Sequence, residues 1–203
     1  MNAWTRHAIT RKHERYSTLR EESISAGSTC KVDFTWGAQA AYGEGTSACL
    51  HGNCDEVQNL EDYSRLYNWY AVDDSRGLCP SGWHVPTDGE WMTLEMELGM
   101  SESEANSIGY RGTDQGTQMK SSSSDTPSWN GSNTSGFSAL PGGLRSSSNG
   151  YFFNEGSFGC WWSASPYVTS YAWSRTLRSV NDNVYRLYGN LRNGFSVRCV
   201  RDE

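Results

Sequence analysis

The sequence predicts an α+β fold that is rich in loops. Residues 87–99 carry strong helix signals, whereas the chain after residue 136 consists mainly of short strand-like pieces separated by Gly, Asn and Ser. The chain has 21 Gly and 9 Trp, while Leu, Ile and Val are sparse. Aromatic rings bury a large area each, so this composition is typical of a small aromatic core rather than a helical bundle.

The helix prediction rests on a capping box and a closing glycine. Thr87 is placed to accept a hydrogen bond at the N-cap, with Glu90 three residues later, directly after the short strand "WHV" and a proline. Gly99 ends the helix. The apolar side chains expected on the buried face are Trp91, Leu94, Met96 and Leu98.

The other segments give weaker signals. Residues 1–26 carry both charge signs and favour an exposed helix, with a docking segment or a frayed tail as alternatives. Residues 27–60 are typical of loops with short strands. "RLYNWYAV" and the closing "GFSVRCV" are predicted as strands, the latter buried, and "SESEANSIGY" as the start of a second short helix.

Charge and hydropathy exclude some classes of partner. With a formal charge of −6 over 203 residues, the chain gives no global electrostatic support for binding nucleic acid. No apolar run is long enough to span a membrane, and the N-terminal residues lack the apolar region of a secretory signal. A place at the cell surface, in the secreted fraction or on a phage particle is nevertheless favoured.

The six cysteines do not form a Cys-x-x-Cys pair, and they lie at Cys30, Cys49, Cys54, Cys79, Cys160 and Cys199. A zinc site built from Cys30, Cys49, His51 and Cys54 is one interpretation, although its spacing is unusual for such sites. A disulfide within this N-terminal group, or plain free thiols, is the favoured alternative.

Six ordered motifs resemble a known family. They are "LYNWYAV", "GLCPSGWHVPTDGEW", "QMKS", "GFSALPGGLR", "WWSAS" and "GFSVRCVRD", within residues 63–202. Together they are similar to the Fibrobacter succinogenes major paralogous domain. "WHVPTDGEWMTL" is also similar to the segment that opens the first helix in formylglycine-generating enzymes.

The resemblance implies a C-type-lectin-like fold, in which two helices pack on small twisted antiparallel sheets and the two chain ends meet. It implies one such domain over residues 61–203, preceded by an extension over residues 1–60. It also implies that Cys79 and Cys199 are adjacent and form a disulfide, with two neighbouring buried thiols as the alternative. Such a bond would close a loop of about 120 residues.

No catalytic or metal-binding constellation emerges. Cys160 lies beside the "WWSAS" strand without a second ligand, so a packing role is favoured over catalysis, and His84 is predicted to be a structural strand residue. The chain has neither the acidic-Pro-Asn loop nor the Trp-Asn-Asp strand with which sugar-binding C-type lectins chelate calcium. We therefore expect neither an enzyme nor a bound cofactor or metal.

Surface recognition is the function that the C-terminal segment favours. Alternation along one strand points Trp173, Arg175 and Leu177 inward and Ser174, Thr176 and Arg178 outward. In the next strand, Val184 and Arg186 alternate against Tyr185 and Leu187. The outward side chains combine Tyr, Asn, Ser, Arg and Asp, which is the composition of paratopes.

The predicted ligand contacts are Tyr171, Ser174, Thr176, Arg178, Asn181, Asn183, Tyr185, Tyr188, Asn190 and Asn193. Arg175, Arg186 and Arg198 are instead predicted to be structural, bound to carboxylates or carbonyls beneath the surface. The expected ligand is a protein or a surface glycan, and the N-terminal extension is a candidate docking segment. The alternatives are a solvated hairpin, and a structural or cell-surface module without a specific ligand.

The resemblance also implies a source of variation. Similar domains are targets of diversity-generating retroelements, which alter codons at adenines and yield mixtures rich in Asn, Tyr, Ser and Asp. The enrichment of these types over residues 167–193, which stops before "GFSVRC", resembles such a variable region.

Overall fold

The computed structural model describes residues 39–41 and 56–202, and these form an α+β structure. The helices are α1 (Glu56–Tyr63), α2 (Trp69–Val72), α3 (Asp88–Glu97), α4 (Glu102–Asn106) and α5 (Gln115–Met119). The strands are β1 (Gln39–Ala41), β2 (Arg65–Tyr67), β3 (Trp83–His84), β4 (Gly109–Arg111), β5 (Gly142–Arg145), β6 (Phe152–Glu155), β7 (Phe158–Val168), β8 (Tyr171–Arg178), β9 (Val184–Asn190) and β10 (Val200–Arg201). The predicted α+β class is confirmed, whereas the predicted helix within residues 1–26 and the cysteine cluster with His51 lie outside the described residues.

A six-stranded sheet in the order β4-β9-β8-β7-β5-β6 forms the centre of the fold. Its pairs are antiparallel except β5 with β7. Two-stranded sheets join β1 to β2 and β10 to β3. β1 belongs to the segment predicted as an extension, so at least these residues pair with the predicted domain.

The central sheet carries a hydrophobic core on each face, because successive side chains of a strand point to opposite sides. On one face, Trp161 and Leu177 pack with Trp91 of α3. On the other, Trp162 packs with Phe195 in a second cluster. β8 is therefore packed on both sides along much of its length.

The helix α3 begins as predicted. The Thr87 side chain accepts a hydrogen bond from the backbone of Glu90, and the Glu90 side chain binds back to Thr87, which completes the capping box. Met96 is exposed, contrary to the prediction, and Glu95 is buried instead. The reason is angular, since Met96 lies about 140° around the helix from Trp91.

The second short helix is also confirmed, because α4 begins with a capping box of its own between Ser101 and Glu104.

Two strand predictions need correction. "RLYNWYAV" is a strand only as far as Tyr67, because Asn68 accepts a hydrogen bond from Ala71 and turns the chain into α2.

The closing "GFSVRCV" is not one continuous strand. Its residues Gly194, Phe195 and Ser196 form single bridges to three different partners, at Arg145, Tyr67 and Trp161. Because each residue pairs with a different segment, the stretch crosses the core instead of joining one ladder.

The predicted pairing of Cys79 and Cys199 is confirmed. The two residues form a disulfide with a Cα–Cα distance of 5.8 Å. The bond reinforces the β3–β10 pair, which brings Val200 opposite His84.

Within the described residues, no helix has the length and apolar character needed to cross a bilayer.

Candidate binding surfaces of the C-terminal hairpin

A buried group of ion pairs supports the β8–β9 hairpin from the α3 side. Arg175 and Arg186 lie directly opposite each other in the register. Arg175 contacts Asp88 Oδ1 and Glu95 Oε1, both at 2.6 Å, and Arg186 contacts Asp88 Oδ2 at 2.6 Å. Burial raises the pKa of Asp88, but the two guanidinium groups outweigh this effect and hold the pKa below its ordinary value.

The predicted structural role of these arginines is therefore confirmed. Arg186 also donates to the carbonyl of Asn106 at 2.9 Å, which ties the hairpin to the end of α4. Arg198 donates to the carbonyl of Phe137 and lies over its ring. Burial lowers the pKa of Arg198 to about 10, so it remains a cation at neutral pH.

On the same face as the ion pairs, a group of four aromatic rings lies at the end of the hairpin. We call it the terminal aromatic cluster, and it consists of Tyr167, Tyr171, Trp173 and Tyr188. Tyr167 stacks on Tyr188 with 4.3 Å between ring centroids and 9° between planes. Trp173 meets Tyr167 edge-on at 4.7 Å, and Arg186 lies over the Trp173 ring at 3.8 Å. The cluster is thus fixed to the ion pairs beneath it.

This cluster remains accessible to solvent. Tyr167 is 39% and Tyr171 37% exposed. The hydroxyl groups of the three tyrosines form no hydrogen bond with any residue in the described part of the chain. They are therefore available to a ligand as donors and acceptors.

The opposite face of the hairpin carries a second group of rings around an arginine, the Arg178 cluster, which consists of Arg178, Tyr110, Phe158 and Tyr185. The Arg178 guanidinium carbon lies 4.5 Å from the centroid of Phe158, 5.2 Å from that of Tyr110 and 5.6 Å from that of Tyr185. Tyr110 and Tyr185 are cross-strand partners, with ring centroids 4.4 Å apart. Tyr110 is 43% exposed.

The hairpin turn, residues 179–183, is held by the α5 region. Lys120 is fully buried and donates through Nζ to the carbonyls of Arg178 at 3.1 Å and Asn181 at 2.9 Å. Thr117 donates through its hydroxyl to Asp182 at 2.7 Å. Gly116 lies so close that a Cβ there would fall 2.4 Å from the carbonyl oxygen of Asn183.

The ten predicted contact residues do not form one surface. Tyr171, Tyr188 and Asn190 lie at the end with the terminal aromatic cluster, whereas Asn181 and Asn183 lie at the turn. These ends are separated by the length of the strands, about 20 Å. The remaining residues on the face opposite α3 are Thr176, Arg178 and Tyr185.

Four predicted contacts have side chains that are hydrogen-bonded within the protein itself, namely Ser174, Thr176, Asn190 and Asn193. Ser174 was predicted to point to solvent, and this is wrong, because it is only 4% exposed and donates to the carbonyl of Leu187 at 3.0 Å. The physical reason is that both faces of β8 are packed at this position. Asn193 is partly buried, and its side chain accepts a hydrogen bond from the backbone of Ser147.

Sequence reasoning missed Tyr110, Phe158 and Tyr167. Tyr167 lies at the start of the Asn- and Tyr-rich segment and could have been found from that position alone. Tyr110 and Phe158 reach Arg178 only through the pairing of β4 with β9 and of β7 with β8. Nothing in the local sequence around them signals this pairing.

Two further residues that were considered for a catalytic role, Cys160 and His84, are held within the fold by other residues. Cys160 is a buried free thiol that accepts a hydrogen bond from Thr176, and burial raises its pKa to about 11. His84 lies in β3, as predicted, between Asp202 and Glu90.

Comparison with known protein families finds a match over most of the chain. The model of the Fibrobacter succinogenes major domain matches residues 10–201. No curated protein and no solved structure matches the chain. The match begins inside the predicted N-terminal extension, and the division at residue 60 stays a prediction. Since the match covers nearly the whole sequence, the chain belongs to the Fibrobacter succinogenes major domain family.

Proposed function

We propose that this protein is a ligand-binding module, not an enzyme, and that it recognises a protein or a surface glycan through the end of its β8–β9 hairpin. The observation that carries the proposal is the terminal aromatic cluster. Its tyrosines combine exposed ring surface with hydroxyl groups that bind no described residue. Tyr and Trp side chains of this kind dominate recognition surfaces, because they offer large area with few rotatable bonds.

Rigidity supports the same proposal. The rings pack against one another, and Trp173 lies under Arg186, which Asp88 holds in turn. A ligand that meets rings already in place loses less conformational entropy on binding than one that must order them. The buried ion pairs therefore act as the support of the binding surface.

We also propose that the scaffold is a C-type-lectin-like fold. The capped helices α3 and α4, the long hairpin and the closing β3–β10 pair with its disulfide are compatible with that architecture. The proposed binding does not depend on calcium. A solved structure of the protein, compared by topology with lectin-like domains, tests this part of the proposal.

Diversification by a retroelement remains part of the proposal. Exposed positions such as Tyr171 can change without disturbing the core, whereas Arg175 and Arg186 are tied to Asp88. A template copy beside a reverse-transcriptase gene, differing from residues 167–193 only at adenines, would support it. A gene without such a neighbour would remove this part of the proposal and leave the binding role untouched.

The binding role is tested with a glycan array and with capture of cell-surface proteins. We expect a retained ligand for the natural protein and a loss of at least about tenfold in affinity for Tyr171→Ser, since aromatic anchors at interfaces contribute about 2 kcal/mol or more. The matched control is Tyr151→Ser, at a partly buried tyrosine outside the hairpin. Silence in both assays, or equal losses in the two variants, favours the rival function, a structural module without a specific ligand.

A further inference from the structure

The Arg178 cluster lies on the face of the sheet opposite the terminal aromatic cluster and differs from it in chemistry. Five arginines in the described residues lie over aromatic rings, namely Arg145, Arg175, Arg178, Arg186 and Arg198. Four of them also donate hydrogen bonds from the guanidinium group to a carboxylate or a carbonyl. Arg178 alone among the five makes no such bond with the described residues.

Single buried nitrogens of Arg145 and Arg198 are also without a partner, but only in Arg178, among these five arginines, does the whole guanidinium group lack one in the described residues. The Nε of Arg178 is buried without a hydrogen-bond partner, and no carboxylate of the described residues lies within ion-pair distance. A guanidinium group has five N–H donors in a fixed planar arrangement that matches a carboxylate. The two terminal nitrogens of Arg178 are also unpaired within the described residues but are not buried, so an anion that enters from solvent gains charge-assisted hydrogen bonds from them.

The three rings hold the guanidinium in position. It lies between 4.5 and 5.6 Å from the centroids of Phe158, Tyr110 and Tyr185, in a partly buried environment. Ring contacts of this kind fix the planar group while leaving its in-plane donors free. The low local polarity also strengthens an ion pair formed there.

We propose that the Arg178 cluster is a second binding site, which receives the carboxylate of an acidic peptide segment. A peptide is favoured over a sugar acid for two reasons. Arg178 lies over all three rings, so each ring has one face that a sugar cannot stack on. In addition, Ile108 and Val180 are exposed beside β4 and in the hairpin turn, and they suit apolar side chains next to the acidic one.

The site stands whether or not the terminal aromatic cluster binds a ligand, because the two lie on opposite faces of the hairpin. The bound carboxylate accepts hydrogen bonds from the guanidinium of Arg178. Apolar residues of the peptide cover Ile108 and the exposed edge of Tyr110. No covalent step is involved.

The test uses a capped peptide of alternating Glu and Leu, and a matched peptide with Gln in place of Glu. The full chain is labelled with 15N, and the Nε–H signal of Arg178 is assigned by its disappearance in Arg178→Lys. We expect the Glu peptide to shift this signal in a saturable manner and the Gln peptide to leave it unchanged. Equal effects of the two peptides, or no shift with either, would overturn the proposal.

Calorimetry on variants adds an independent measurement. Arg178→Lys keeps the charge but loses the planar pair of donors, so we expect binding about tenfold weaker, and Arg178→Gln should abolish it. The matched control Arg192→Gln, at an exposed arginine outside the cluster, should bind as the natural protein does. If Arg178→Gln fails to fold, the comparison of the two peptides on the natural protein still decides.

Two further outcomes separate this site from other interpretations. Tyr171→Ser should bind the Glu peptide with unchanged affinity, which distinguishes failure of this site from failure of the terminal aromatic cluster. If sialyllactose shifts the Arg178 signal and the Glu peptide does not, the ligand is a carboxylated glycan and the peptide proposal is wrong.

Discussion

At the scale of single residues, His84 joins three parts of the chain. Its Nδ1 lies 2.6 Å from Asp202 Oδ1, and its Nε2 lies 2.7 Å from Glu90 Oε1. Partial burial alone would lower the pKa of His84, but the hydrogen bonds to Asp202 and Glu90 outweigh it and the pKa is raised. When it is protonated, the imidazole donates to both carboxylates and so links β3 both to the first turn of α3 and to the C-terminal residues.

A pH dependence of stability follows from this raised pKa. The contribution of His84 is complete below its unfolded pKa of about 6.5 and is lost as the pH rises through the higher folded value. We expect the melting temperature of the natural protein to exceed that of His84→Gln more at pH 5.5 than at pH 9. A difference that stays constant across this range would show that the imidazole charge does not stabilise the fold.

The residue types of the hairpin predicted some roles and not others. Arg175 and Arg186 were recognised as structural, because a long cation on an inward position requires an acceptor. Ser174 was misjudged because strand alternation leaves one face in solvent only when that face is uncovered. The face around Ser174 is covered by the cluster that contains Trp162 and Phe195.

At the scale of elements, the hairpin turn depends on Lys120. Its ammonium group satisfies two backbone carbonyls, at Arg178 and Asn181, and lies 5.7 Å from the ring centroid of Trp129. Burial lowers the pKa of Lys120, although Asp182 opposes the shift. The turn is therefore positioned by a side chain from another part of the chain.

Replacing Lys120 with Met should loosen this turn. The two carbonyls lose their donor, which costs about 1–3 kcal/mol for a buried group left without a partner. We expect faster amide hydrogen exchange over residues 179–183 and unchanged exchange in the centre of α3, which serves as the internal control. Equal acceleration in both regions would mean that Lys120 supports the whole fold instead of the turn.

Elements with local signals were predicted well. Thr87 and Glu90 mark the start of α3 through contacts three residues apart, which the sequence displays directly. The segment "GFSVRCV" was predicted as a strand because it is apolar and alternating. Its bridges to three separate partners arise from the packing of the whole chain, which no local pattern encodes.

At the scale of the whole molecule, the Cys79–Cys199 disulfide links residues 120 positions apart. In the chain-entropy model, a loop of this length gives about 4–5 kcal/mol of stability by restricting the unfolded chain. We expect the double variant Cys79→Ser, Cys199→Ser to lose about this amount in urea unfolding.

The control for that experiment adds a reductant to both proteins, which should lower the stability of the natural protein by more than that of the double variant. Cys160→Ala should respond to the reductant as the natural protein does, because Cys160 is a free thiol. A double variant as stable as the oxidised natural protein would show that the bond contributes nothing to folding.

Helix and strand signals predicted the α+β class and the family motifs predicted this disulfide, but neither predicted how the site is divided. The predicted contacts were assumed to share one surface, because a linear segment does not reveal which residues lie behind a sheet. The Arg178 cluster draws on three strands besides β8, through Tyr110, Tyr185 and Phe158. It becomes visible only when the strand order is known.

The shared carboxylate of Asp88 has one more consequence. It receives two guanidinium groups that face each other across β8 and β9, and these would repel without it. A slip of either strand by one position would carry its arginine to the opposite face of the sheet and leave the charge unpaired in an apolar layer. One aspartate thus selects a single register of β8 and β9, and this register does not depend on which side chains occupy the exposed positions of the hairpin.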